Sequence, residues 1–210
     1  MTDQSSHEEL LKALIKGSRA KSSEIINELL SQNINIDDIY EKSIKKAMYQ
    51  LGELWEYGKI SVATEHLASA IVEVELNKIY SRTVPVKSSD KTVVIACTEN
   101  EFHQIGIKMV SDIFEMYGWN TFFLGSNVPA NELIDFIKNT DPDLVALSQS
   151  IYFNLLKLET ILELLNNEFP DLKILVGGQA FLHGGKEILN IYNNVTYLED
   201  LYKLESFLQQ

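Results

Sequence analysis

Apolar residues recur at three- and four-residue spacing through HEELLKALIKGS, KSSEIINELLSQ, IDDIYEKSIKKAMYQLGELWEYG and SVATEHLASAIVEVELNKIYSR. That period is the buried stripe of an amphipathic helix. Four such segments ending near Thr83 predict a four-helix bundle over about residues 1–85. Breaks are expected at Gly17 to Ala20, around Asn33, and at Gly58 to Ser61, where Gly58 suits a helix end and Ser61 a helix start. VPVKSSDK, from Val84 to Lys91, has no periodicity and reads as a linker. Beyond it the period changes. Short β-rich runs (TVVIACT, TFFLG, LVALSQS, KILVGG, VTYL) alternate with helical patterns at His103 to Tyr117, Ala130 to Asn139, Leu155 to Phe169, near Lys186, and LYKLESFLQQ. Five such pairs predict a doubly wound, five-stranded parallel sheet of flavodoxin-like type over residues 90–210. The fold class is therefore α followed by α/β.

Ligands of such sheets sit beyond the carboxyl ends of the strands. Four loops matter most: Thr98 to Gly106, Gly125 to Ala130, Ser148 to Phe153, and Gly177 to Gly184. Three familiar sites do not fit them. A phosphoryl-accepting receiver domain needs an Asp at the end of the third strand, where this chain has Ser148 and Gln149. The dinucleotide fingerprint G-x-G-x-x-G is missing from the first turn, which offers only Gly106. The carboxylates of ENEFHQ would repel the phosphate of a flavin mononucleotide.

His103 in that turn suits a metal. Neutral imidazole is a common ligand, and a carboxylate on its second nitrogen fixes the tautomer; Glu101, two residues earlier, is placed to do this. One histidine is not a metal cage, so the expected partner is a metal already held by a macrocycle. The small residues Gly106, Ser148, Ser150, Gly177 and Gly178 would leave a slot for a ligand tail.

Composition narrows the picture. Thirty acids against eighteen bases give a net charge of −12, which argues against direct nucleic-acid contact. A single cysteine, Cys97, and a polar start without a signal-peptide pattern make the cytoplasm the expected compartment. No apolar run approaches the roughly 18 residues of a membrane span.

E-F-H-Q-I-G, a strand ending in Ser148 and a later G-G-Q resemble the cobalamin-binding signature D/E-x-H-x-x-G with downstream Ser and Gly-Gly. The resemblance implies base-off/His-on cobalamin, with His103 binding cobalt from below and Glu101 orienting it. The nucleotide tail would run along Gly106, Ser148, Gly177 and Gly178, and Val128 in LGSNVP would border the corrin. In the helical half, Trp55 is followed after nine residues by Glu65-His66. This spacing resembles the CarH-type adenosylcobalamin-dependent photoreceptors, here without the preceding DNA-binding domain. It implies that the bundle caps the upper face of the corrin, with Trp55 packing over the upper ligand and Glu65 hydrogen-bonding the adenosyl group. His66 would take the cobalt after photolysis.

The expected function is thus a light-sensing, non-enzymatic cobalamin module that carries adenosylcobalamin and alters its assembly or a contact with a protein partner. The alternative is a corrinoid methyl carrier, with methylcobalamin, serving a partner methyltransferase. A passive cobalamin store is the third reading.

Overall fold

The computed structural model describes residues 3–82 and 89–209. The expected linker lies outside them as far as residue 88. By Cα proximity the chain divides into two compact units, Met1–Thr83 and Val84–Gln210.

The first unit holds α1 (Asp3–Ile15), α2 (Arg19–Ser31), α3 (Ile36–Asp38), α4 (Lys46–Glu56) and α5 (Val62–Tyr80). Its boundaries follow from local chemistry. Gly17 and Gly58 adopt φ of +64° and +66°, which ends α1 and α4 cheaply because glycine has no Cβ. The Ser18 and Ser61 hydroxyls accept the N–H of Lys21 and Thr64 and cap α2 and α5. Leu10, Leu14, Ile25, Ile26, Leu51, Ile71 and Leu76 are buried at the periodic positions. The third helical pattern is more complex than its spacing suggests. Between α3 and α4 the chain forms a π-helical segment, Ile39–Lys45, so the single predicted helix is three joined pieces of one four-helix bundle. The segment buries Tyr40, Ser43 and Ile44, with Glu41 tied to Lys45, and the hydroxyls of Ser43 and Ser6 lie 2.8 Å apart.

The second unit is a parallel sheet of β1 (Thr92–Cys97), β2 (Asn120–Gly125), β3 (Leu144–Ser148), β4 (Lys173–Gly177) and β5 (Val195–Tyr197), in the order β2-β1-β3-β4-β5. The helices are α6 (Ile105–Met116), α7 (Ala130–Thr140), α8 (Leu155–Glu168), α9 (Lys186–Leu189) and α10 (Leu201–Leu208). β1 reads as a continuous apolar run because both its faces are covered. Val94 and Ala96 pack in one core with Val145, Leu147, Ile174 and Val176, under Leu133 and Ile137 of α7 and Leu158, Ile161 and Leu162 of α8. Val93, Ile95 and Cys97, pointing the other way, are equally buried, and α6 lies against β1, β2 and α10.

The strand order reverses at β1, which has β2 on one side and β3 on the other. The crevice at that reversal is where open α/β sheets bind ligands. In the sheet register Cys97 pairs with Ser148 and Ser148 with Gly177, so the three strands end level, and the loops following β1 and β3 emerge side by side. Among the described residues no helix is long and apolar enough to cross a membrane.

Candidate functional site

The loop between β1 and α6 places a fully buried carboxylate under a half-exposed imidazole. Glu101 is 0 % exposed, whereas the side chain of His103 is 48 % exposed. Glu101 Oε1 accepts from His103 Nδ1 at 2.6 Å and from the His103 backbone N–H at 2.8 Å. Oε2 accepts from Gln149 Nε2 at 2.8 Å and from the backbone N–H groups of Ser150 and Ile151 at 2.7 and 3.0 Å. Burial alone would raise the Glu101 pKa. The hydrogen bonds from the His103 ring, its backbone N–H, Ile151 and Ser150 outweigh burial and hold the carboxyl below its ordinary value. An ionised carboxylate only accepts, so Nδ1 of His103 carries the hydrogen and a neutral ring has its lone pair on Nε2. That is the tautomer a metal ligand needs.

The backbone of Glu101 is held as firmly as its side chain. Its N–H donates to Thr98 O at 3.0 Å and its carbonyl accepts from Asn127 N–H at 2.8 Å. Asn127 Oδ1 in turn accepts the N–H of Asn100 at 2.9 Å. Asn100 and Asn127 have φ of +66° and +53°, a region asparagine tolerates better than most residues. These bonds fasten the turn after β1 to the turn after β2. Val128, beside Asn127, is half-buried, and its N–H donates to Cys97 O at 3.3 Å.

Cys97 is buried, and burial, reinforced by the negative charge of Glu101, pushes its thiol up to about 12. It stays a neutral thiol, directed to the His103 carbonyl at 3.7 Å, and lacks the thiolate that reactivity requires.

The expected small-residue positions differ in what surrounds them. A Cβ on Gly106 would meet nothing within 4 Å. Gly177 and Gly178 instead sit close to neighbouring backbone: a Cβ would lie 3.2 Å from Leu198 O at the first and 2.2 Å from Gln149 O at the second. Ser148 is buried at the end of β3.

In the helical unit Trp55, at the end of α4, is 45 % exposed, and the His66 side chain is 74 % exposed. Glu65 turns along its own helix, where one oxygen accepts the Ser69 hydroxyl at 2.8 Å and the other lies 3.6 Å from His66 Nε2. Among the described residues no hydrogen bond, ion pair or ring contact joins Trp55 to Glu65 or His66. Gln149, Asn127 and Thr98 hold the site together although their sequence context carries no pattern that marks them.

The donor set, one imidazole held by a buried carboxylate, would fit a metal centre that takes a single ligand from the protein and brings its other ligands with it. Two family profiles, each described as a B12 binding domain, match the chain, one over residues 91–195 and one over residues 6–78. The first spans half of the sequence, and the chain belongs to the B12-binding family. It is a cobalamin-binding protein with a helical bundle and a Rossmann-like domain. It is 28 % identical over 146 residues to dimethylamine corrinoid protein 3 of Methanosarcina acetivorans, covering 68 % of each chain. It is 27 % identical over 174 residues to the HTH-type transcriptional repressor CarH of Myxococcus xanthus, covering 82 % of this chain and 57 % of that one. The structure of the monomethylamine corrinoid protein of Methanosarcina barkeri superposes with a TM-score of 0.83 across 99 % of both chains at 18 % identity, a likeness of fold.

The depressed pKa of Glu101 has a consequence for stability. A carboxyl whose folded value lies below its unfolded value stabilises the fold above the unfolded pKa. That contribution is lost as the pH falls through the folded value. Denaturant titrations across the acid range should therefore show stability dropping on acidification. Glu101→Gln should lower stability near neutrality by about 2 kcal/mol and flatten the acid dependence. An unchanged slope in the variant would place the acid-sensitive group elsewhere.

Proposed function

We propose that this chain is a corrinoid carrier, holding cobalamin through His103 and offering its cobalt to a partner methyltransferase. The observation that carries the reading is the Glu101–His103 pair at the sheet's reversal point, with Nδ1 committed to a buried carboxylate. When bound, the corrinoid supplies a cobalt that can hold a methyl group in transit between donor and acceptor. The chain's own residues do the rest. His103 binds, Glu101 orients it, and Gly106 leaves room at the start of α6. Val128, after β2, borders the corrin, and Ser148, Gly177 and Gly178, at the ends of β3 and β4, lie along the ligand tail. A carrier needs a cobalt that a partner enzyme can reach, and Trp55 and His66, both exposed, share no hydrogen bond or ring contact with each other among the described residues. The similarity to dimethylamine corrinoid protein 3 over two thirds of both chains supports the same choice. The reading places the protein in the cytoplasm, in keeping with one free, buried cysteine, and gives it a protein partner.

A second reading rests on the Trp55…Glu65-His66 spacing and on the similarity to the Myxococcus repressor. In it the chain carries adenosylcobalamin as a light sensor, and His66 becomes the upper ligand after photolysis.

One experiment separates the two. The protein and its His66→Ala variant are loaded with adenosylcobalamin in darkness, and absorption spectrum and elution volume are recorded before and after illumination. In parallel, the hydroxocobalamin-loaded protein is reduced and tested for methyl uptake from a methylamine with a corrinoid methyltransferase. A carrier takes up methyl and gives the same light response with and without His66, at constant size. A sensor gives a photoproduct that requires His66, together with a change in size, and that result would overturn the carrier reading.

A further inference from the structure

Gln149 is fully buried, and every polar group it has is used. Its backbone N–H donates to Gly177 O at 3.1 Å, and its carbonyl accepts from Ala180 N–H at 3.2 Å. This straps the residue after β3 to the turn after β4. Its side-chain carbonyl accepts the Thr98 hydroxyl. Its amide nitrogen donates to Glu101 Oε2 at 2.8 Å and to Ile151 O at 3.2 Å.

These partners permit one orientation of the amide. Turned over, its oxygen would face the Glu101 carboxylate and the Ile151 carbonyl, three acceptors with no donor among them, whereas the Thr98 hydroxyl, which both donates and accepts, could pair with either end of the amide. Glu101 and Ile151 therefore set which end of the amide faces them, and the Thr98 hydroxyl anchors the other end. With Oε2 filled by Gln149, Ser150 and Ile151, the carboxylate cannot rotate without losing buried hydrogen bonds, and Oε1 is kept for His103. A carboxylate held on one oxygen only by loop N–H groups would have more freedom to turn.

We propose that Gln149 is a positioning residue for His103, acting through Glu101, and that the Thr98 hydroxyl anchors Gln149 in place. Together they keep the imidazole in the single tautomer with its lone pair on Nε2. The role in cofactor binding rests on the reading of His103 as the cobalt ligand, but the control of the tautomer does not. An amide in this place has no proton to give up, so it sets geometry and takes no part in proton transfer.

The test uses the full chain and two readouts. Nitrogen-15 NMR of the cofactor-free protein reports the tautomer of His103, assigned against His103→Ala. Binding of hydroxocobalamin, followed by reduction and EPR, reports the nitrogen on cobalt. The variants are Gln149→Met, which keeps length but removes the amide, Thr98→Val, which removes the hydroxyl, and Thr98→Ser, which restores it. The wild type and Thr98→Ser should show the Nδ1–H form alone. Gln149→Met and Thr98→Val should both populate the Nε2–H form and weaken imidazole-bound cobalamin about tenfold. A single unchanged tautomer in all variants overturns the proposal. Should Gln149→Met not fold, the Val/Ser pair at Thr98 decides by the same criterion. A wild-type protein that takes up cobalamin without imidazole on cobalt would defeat the reading of His103 as ligand, while the NMR comparison still decides the role of Gln149.

Discussion

Replacing His103 with alanine should eliminate the imidazole-coordinated form of the loaded protein and weaken cobalamin retention by on the order of 100-fold. Second-sphere partners of a metal-bound histidine are themselves worth about 10- to 100-fold, and removal of the ligand should cost no less than the upper end of that range. The cofactor-free fold should change little. The ring is half exposed, and Glu101 keeps the backbone N–H groups of His103, Ser150 and Ile151 and the Gln149 amide. Loss of one donor among five is expected to cost about 1–2 kcal/mol. Paired measurements of cobalamin binding by absorption titration and of unfolding by denaturant would expose the asymmetry: a large fall in binding with a small fall in stability. Comparable collapse of both would mean that His103 is structural.

Gly178→Ala should instead lower stability and binding together. Gly178 has φ +114° and ψ 163°, a region essentially restricted to glycine. A Cβ there would lie 2.2 Å from Gln149 O and 2.7 Å from Gln149 C. The obstacle is backbone, already bonded to Gly177 and Ala180, so it cannot swing away as a side-chain tip would. Backbone strain of about 1–3 kcal/mol adds to an overpacking cost of similar size. The α/β unit should lose most of its stability, and cobalamin binding should go with it. Gly106→Ala is the control, because its Cβ would enter open space and should leave the cofactor-free fold intact. A Gly178→Ala protein as stable as the wild type would show that the turn after β4 yields more readily than its contacts imply.

These contrasts mark how far the sequence could be read. The β-rich runs and their order were legible because a parallel strand covered on both faces leaves an uninterrupted apolar stretch, as TVVIAC does. The pairing of Glu101 with His103 was legible because both lie in one short turn. Gln149 was not, since its partner is 48 positions away and nothing local distinguishes it from an ordinary loop glutamine. Gly177 and Gly178 read as small residues beside a slot, while their close approach to Leu198 O and Gln149 O, in loops distant in sequence, is a contact composition does not reveal. The π-helical turn in the third helix escaped for a related reason: an apolar stripe fixes a face, while the extra residue of a π turn shifts it only slightly. In the helical unit the spacing of Trp55, Glu65 and His66 placed them near one helix junction. It could not fix their rotamers, and the Glu65 carboxylate is engaged by Ser69.

The proposed coordinate bond from His103 to cobalt is tested most directly by EPR of the cob(II)alamin-loaded protein prepared with nitrogen-15 histidine and unlabelled cofactor. If His103 is the axial ligand, the superhyperfine pattern changes from the triplet of nitrogen-14 to the doublet of nitrogen-15. A triplet that persists in the labelled protein would mean that the cofactor's own base stays on cobalt, and would contradict the assignment of His103.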